Sequence, residues 1–187
     1  AMDNFSPDVL IEMDADFQHD PDDIKRFVKA MAEGYDYVIG SRFTKGGSIP
    51  KEWELYRKIL SVGGNLFTKI VLGIFKISDF TTGYKATRVK GYLDEMDLDT
   101  IMSSGFAYKM ELLYRMHRMG AKIKEIPIQF GLREGGVSKM ERNNPFDSMK
   151  VVVVLRFKES RKFIKFCIVG IAGLFVDTGL FNILRNF

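Results

Sequence analysis

An apolar run over residues 8 to 13 that stops at two acids, Asp14 and Asp16, narrows the folds open to this chain more than any other stretch. Val9, Leu10 and Ile11 are continuous and apolar, which reads as a buried strand. Asp20 and Pro21 then suit the N-cap and first position of a helix, with Asp22 and Asp23 in its first turn. Ile24, Phe27, Val28 and Met31 give that helix an apolar face, and Gly34 closes it. A second strand, Tyr37 to Gly40, follows at once. Strand, helix and strand in this order predict an α/β fold with a parallel pair, whose carboxyl ends bring Asp14, Asp16 and Arg42 to one edge.

Caps and turns account for Asp20 to Asp23 but not for Asp14 and Asp16, which follow the strand and precede the helix. Carboxylates at such a strand end suit a hard cation such as Mg²⁺ or Mn²⁺, and the usual client of that cation is a diphosphate. An acidic pair also occurs in ordinary turns, so this pair alone leaves both readings open.

With 187 residues, 46% of them hydrophobic and 28% charged, the chain can build a core and does not read as disordered. Its net charge of +4 is concentrated. Lys150, Arg156, Lys158, Arg161, Lys162 and Lys165 are opposed only by Glu159, and the apolar run Phe166 to Leu184 comes next. That run is long enough for a helix that crosses a bilayer, with its basic flank in the cytoplasm. Asp177 in mid-span costs about 2.5 to 3.5 kcal/mol in lipid, which favours packing against other helices. A buried helix of a soluble domain is the alternative. Cys167 is the single cysteine and supports neither a disulfide nor a metal site.

Between these ends, the apolar spacing from Tyr56 to Ile74 predicts a helix, either core-facing or lying in a membrane interface with Phe67, Ile70 and Val71 against lipid. A further helix is expected over Tyr108 to Met119, capped by Gly120. Residues 122–127 and 128–132 read as edge strands because Pro127 lacks a ladder donor. Arg133 to Lys139 reads as a glycine-rich loop whose two cations suit phosphate, or as a plain surface turn. Pro145 to Glu159 reads as an amphipathic helix, although the valines 151–154 would suit a strand.

Taken in order, Asp14-Ala15-Asp16-Phe17-Gln18-His19, Gly40-Ser41-Arg42, Tyr56-Arg57-Lys58, Asp79-Phe80-Thr81-Thr82-Gly83-Tyr84 and Phe130 to Arg133 through Ser138-Lys139 resemble the polyprenyl-phosphate glycosyltransferases. The dolichyl-phosphate mannose synthases of archaea are the nearest branch, and Lys162 to Gly170 is similar to the start of their GtrA-like membrane domain. The resemblance implies a GT-A fold over residues 1–144, an amphipathic juxtamembrane helix over 145–162 and a first transmembrane helix over 163–187. It also implies a preceding nucleotide-binding segment that this chain lacks, so residues 1–144 are expected to be the C-terminal part of the fold.

The activity implied is inverting transfer of mannose from GDP-mannose to dolichyl or another polyprenyl phosphate, by an integral membrane enzyme with its catalytic domain on the cytoplasmic face. Asp14, Asp16 and Gln18 would ligate Mg²⁺ or Mn²⁺, and Arg42, Arg57, Arg133 and Lys139 would grip phosphates. Asp16, Arg42 and Arg57 stand as the catalytic set. The acceptor phosphate is already an anion, so no general base is required, and His19 and His117 form no catalytic constellation. Asp79 is expected near the acceptor without an assigned chemical role. Two alternatives remain: a glucosyl relative using UDP-glucose, and a non-catalytic module whose basic segment binds anionic lipid. Nucleic-acid binding is disfavoured because no recognition motif accompanies the basic charge.

Overall fold

The computed structural model describes residues 6–101, 107–132 and 145–185. The chain divides into two compact units, Ala1–Val152 and Val153–Phe187. Described strands of the first unit are β1 (Val9–Glu12), β2 (Tyr37–Ser41), β3 (Lys85–Arg88) and β4 (Ile123–Pro127), in the sheet order β1-β3-β2-β4. Its helices are α1 (Ile24–Ala32), α2 (Leu55–Leu72) and α3 (Ala107–Arg118).

The α/β class is as expected, but the sheet is mixed and the expected β1–β2 pairing is absent. β3 lies between them and runs antiparallel to both, while β2 pairs in parallel with β4. A strand distant in sequence thus takes the position that the local strand-helix-strand order had given to β2. The functional consequence survives, because β1 and β2 still point the same way and end at the same edge. Residues 128–132 add no further strand; the segment makes one isolated bridge, Ser48 to Gln129.

Alternation along the strands sorts the two faces. Val38, Ala86 and Ile126 pack with Phe27, Ala30 and Met31 of α1, joined by Tyr84 and Ile128. Each large apolar side chain buried this way contributes about 1.5 to 3 kcal/mol. Val28 of α1, expected on this face, points outward and is exposed. Tyr37, Ile39, Lys85 and Thr87 have the opposite parity, and α3 serves that face: Tyr108 donates to Glu12 Oε1 at 2.9 Å, and the Lys85 ammonium lies 4.2 Å from the Tyr108 ring.

α2 reverses the usual arrangement. It buries Asn65 and Thr68 with Leu72, while Leu55, Tyr56, Ile59, Val62, Leu66 and Ile70 are exposed along one stripe. Of the residues expected to face lipid, Ile70 is in this stripe and Phe67 and Val71 are half-buried beside it. Gly73 ends the helix with a left-handed φ of 71° that costs glycine no Cβ clash.

A further helix, α4, spans Pro145–Arg185. Phe157, Phe166, Val169, Leu174, Phe175 and Phe181 are among its exposed apolar side chains. Among the described residues, no helix is long and apolar enough to cross a membrane.

Candidate functional site

At the shared carboxyl edge, β1 stops at Glu12 and the chain turns. Phe17 adopts a φ of 61°, uncommon for a residue with a side chain, and leaves its ring exposed. The turn lets Asp16 Oδ1 accept the Gln18 N–H at 3.3 Å and sends the Gln18 side chain inward. Gln18 is buried and bound to Gly131 twice, donating from Nε2 to its carbonyl at 3.0 Å and accepting its N–H at 2.9 Å. Asp14 is half-exposed, with Oδ2 3.3 Å from the Lys109 ammonium of α3. A Cβ on Gly83 would lie 2.6 Å from that ammonium and would press on the Asp14 carboxylate too, so a side chain there would displace both charged groups.

Two carboxylates suit a hard cation in kind but not in number. Among the described residues no group of three or more His, Cys, Asp and Glu could hold a metal ion. A cation at Asp14 and Asp16 would draw its other oxygens from phosphate, water or the Gln18 amide, since six or more are usual.

Arg42, just past β2, meets a partner that the sequence left without a role. Asp79 is fully buried and takes the guanidinium in a fork, Nε to Oδ2 and Nη2 to Oδ1, both at 2.7 Å. It also accepts the Arg42 backbone N–H at 3.1 Å, and Nη2 donates to Thr81 Oγ1 at 2.6 Å. Burial pushes the Asp79 carboxyl up, but the Arg42 charge and hydrogen bonds from Arg42 and Thr81 outweigh it and hold the pKa below the usual range. The turn that carries Asp79 is itself pinned. Glu125 Oε1 of β4 accepts the Ser78 and Asp79 N–H groups at 3.0 Å each, and Asn65 Oδ1 of α2 accepts the Phe80 N–H at 2.6 Å.

Aromatic rings join the acidic and basic sides. His19 is buried, its ring 5.1 Å from both Tyr84 and Phe130. Neither ring nitrogen has a hydrogen-bond partner among the described residues. Burial lowers its pKa, the charges of Asp14 and Asp16 raise it, and Lys109 and Arg42 lower it again, with a net fall that leaves the ring neutral near pH 7. All four charges act on this one imidazole. Phe130 also lies 5.2 Å from the Arg42 guanidinium and 5.8 Å from the Trp53 ring, over which Arg57 stacks at 3.8 Å.

Asp14, Asp16, Gln18, Arg42 and Arg57 are thus gathered around His19, Phe130 and Trp53, whereas Arg133 and Lys139 lie outside the described residues. Sequence reasoning missed Lys109, Glu125, Asn65 and the chemical role of Asp79. Asn65 and Thr68, polar positions inside an apolar helix pattern, were the one available signal.

Residues 1–95 match the description Glycosyl transferase family 2. The chain is 38% identical to a polyprenol monophosphomannose synthase of Mycolicibacterium smegmatis, over 75% of this chain and 52% of that protein. It is 42% identical to an undecaprenyl-phosphate mannosyltransferase of Micrococcus luteus, over 71% of this chain and 53% of that one. With a dolichol-phosphate mannosyltransferase of Pyrococcus furiosus the identity is 35%, over 97% of this chain and 50% of the relative. The chain spans about half the length of each of these relatives.

Proposed function

This chain belongs to glycosyl transferase family 2, and from that membership we propose that it serves inverting transfer of mannose from GDP-mannose to a polyprenyl phosphate such as dolichyl phosphate. The names of its relatives support the sugar and the lipid class. One observation carries the reading: a carboxylate pair suited to a cation and diphosphate, and two guanidinium groups suited to a phosphate, meet around the same aromatic cluster.

In this proposal Asp14 and Asp16 would hold Mg²⁺ or Mn²⁺, with Gln18 as a third oxygen donor. The bound cation would neutralise charge on the departing diphosphate. Arg42 offers hydrogen bonds in a fixed direction, because Asp79 already compensates its charge and sets its plane. Arg57 rides in the first turn of α2, where the helix dipole favours an anion. An acceptor phosphate held there attacks the anomeric carbon with its own oxygen while GDP leaves from the opposite face. No side chain has to remove a proton.

The exposed stripe of α2 beside Arg57 suits an isoprenoid chain at a membrane surface, and the basic residues Lys150 to Lys165 suit its anionic headgroups. This reading sets the first unit on the cytoplasmic face of a membrane. Arg133 and Lys139 are proposed as further phosphate contacts. The test is transfer to polyprenyl phosphate from radiolabelled GDP-mannose or UDP-glucose by the intact protein. Mannosyl lipid as the product is expected; glucosyl lipid, or no product from either donor, would overturn the reading.

A further inference from the structure

We propose that Trp53 and Phe130 form an aromatic bridge that orients the Arg57 guanidinium and couples it to the Arg42 guanidinium already held by Asp79, so that the two face one phosphate. The inference rests on the reading above for the source of that phosphate, the lipid acceptor, but not for its chemistry. A guanidinium on a flexible stem loses rotamer freedom whenever it must meet an anion, and a ring beneath it reduces that loss by holding the plane beforehand. Arg57 has such a ring at 3.8 Å, and Arg42 has one at 5.2 Å. The two rings touch edge to face at 5.8 Å, near the preferred aromatic geometry, so the ring under Arg57 is braced by the ring beside the clamped Arg42.

Backbone contacts fix the bridge from both sides. Ser48, ahead of α2, donates its N–H to the Ile128 carbonyl at 3.0 Å and accepts the Phe130 N–H at 3.1 Å. Trp53 N–H meets the Pro50 carbonyl at 3.4 Å, and the indole is 7% exposed. Its Nε1–H has no hydrogen-bond partner among the described residues, so one buried donor is left over on the ring that carries Arg57. Trp53 and Phe130 are positioning residues here, acting through the arginines.

Trp53 is the only tryptophan of this chain, which makes it an optical probe of its own role. The emission of the intact protein would be titrated in detergent with farnesyl phosphate, inorganic phosphate and GDP-mannose, with Trp53→Phe subtracting any other signal. A saturable change with farnesyl phosphate is expected, weaker with inorganic phosphate and lost in Arg57→Ala. In mannosyl transfer, Trp53→Leu should raise the KM for polyprenyl phosphate about fivefold to twentyfold with kcat nearly unchanged, and Trp53→Phe should restore most of the affinity. Arg57→Lys, which keeps the charge and loses the stacked plane, should match Trp53→Leu if that variant folds poorly.

Wild-type KM in both Trp53→Leu and Arg57→Lys, or emission blind to every phosphate in a protein that transfers mannose, would overturn the bridge and leave the function standing. A response to inorganic phosphate without transfer to any lipid would support the bridge and overturn the function. A response to GDP-mannose alone would refute an acceptor role.

Discussion

The two sides of the site are built differently. On the basic side Arg42 is locked to a fully buried carboxylate, whose turn is pinned from α2 by Asn65 and from β4 by Glu125. On the acidic side Asp14 is half-exposed and touches the Lys109 ammonium, and Asp16 sits in a turn strained at Phe17. Guanidinium hydrogen bonds depend on direction, so their plane is worth fixing in advance. Carboxylates that receive a cation gain from staying accessible, since the cation itself completes the order. The contrast teaches where stability and activity should separate.

Asp79→Ala is expected to break the basic side most severely. It leaves the Arg42 charge buried and unpaired, which costs about 3 to 5 kcal/mol in urea unfolding; a loss below about 1 kcal/mol would show that the clamp is not structural. The same pair predicts an acid limit. Because the Asp79 pKa is depressed on folding, its contribution is complete above the unfolded value of about 3.9 and disappears as pH falls through the lower folded value. Wild type should therefore lose more stability than Asp79→Asn between neutral pH and strong acid, and parallel curves would count against the pair.

Gly83→Ala should disturb the acidic side at about 1 kcal/mol, through the added Cβ that displaces the ends of Asp14 and Lys109. The comparison sharpens if this variant loses affinity for GDP-mannose and Mn²⁺ while the KM for polyprenyl phosphate holds; equal losses for donor and acceptor would merge the two sides. Smallest in stability are Ile59→Ser and Leu66→Ser in the exposed stripe of α2, expected within about 0.5 kcal/mol of wild type. Their effect should appear instead as weaker binding to anionic vesicles, and unchanged binding would remove the stripe from the lipid-facing account.

How much of this was legible in the sequence follows the same division. Asp14, Asp16 and the helix start at Asp20 and Pro21 were readable because local strand and cap chemistry places them. Arg42 could be placed at the edge, yet not its clamp, since Asp79 lies 37 residues away and nothing local pairs them. The wrong β1–β2 pairing has the same cause: strand order depends on nonlocal contacts, and β3 enters from after α2. Asn65 inverts the sense of α2 for a related reason. A helix pattern gives the apolar stripe but not which stripe the rest of the chain covers, and here the hydrogen bond to Phe80 draws a polar face inward.

Asp16→Ala in the intact protein tests the central claim most directly, by comparing Mn²⁺-dependent transfer of radiolabelled mannose from GDP-mannose to polyprenyl phosphate with urea unfolding of the same variant. The account predicts transfer abolished with stability lowered by no more than about 1.5 kcal/mol, the worth of the hydrogen bond that Asp16 accepts from Gln18. Normal turnover by the folded variant would contradict it.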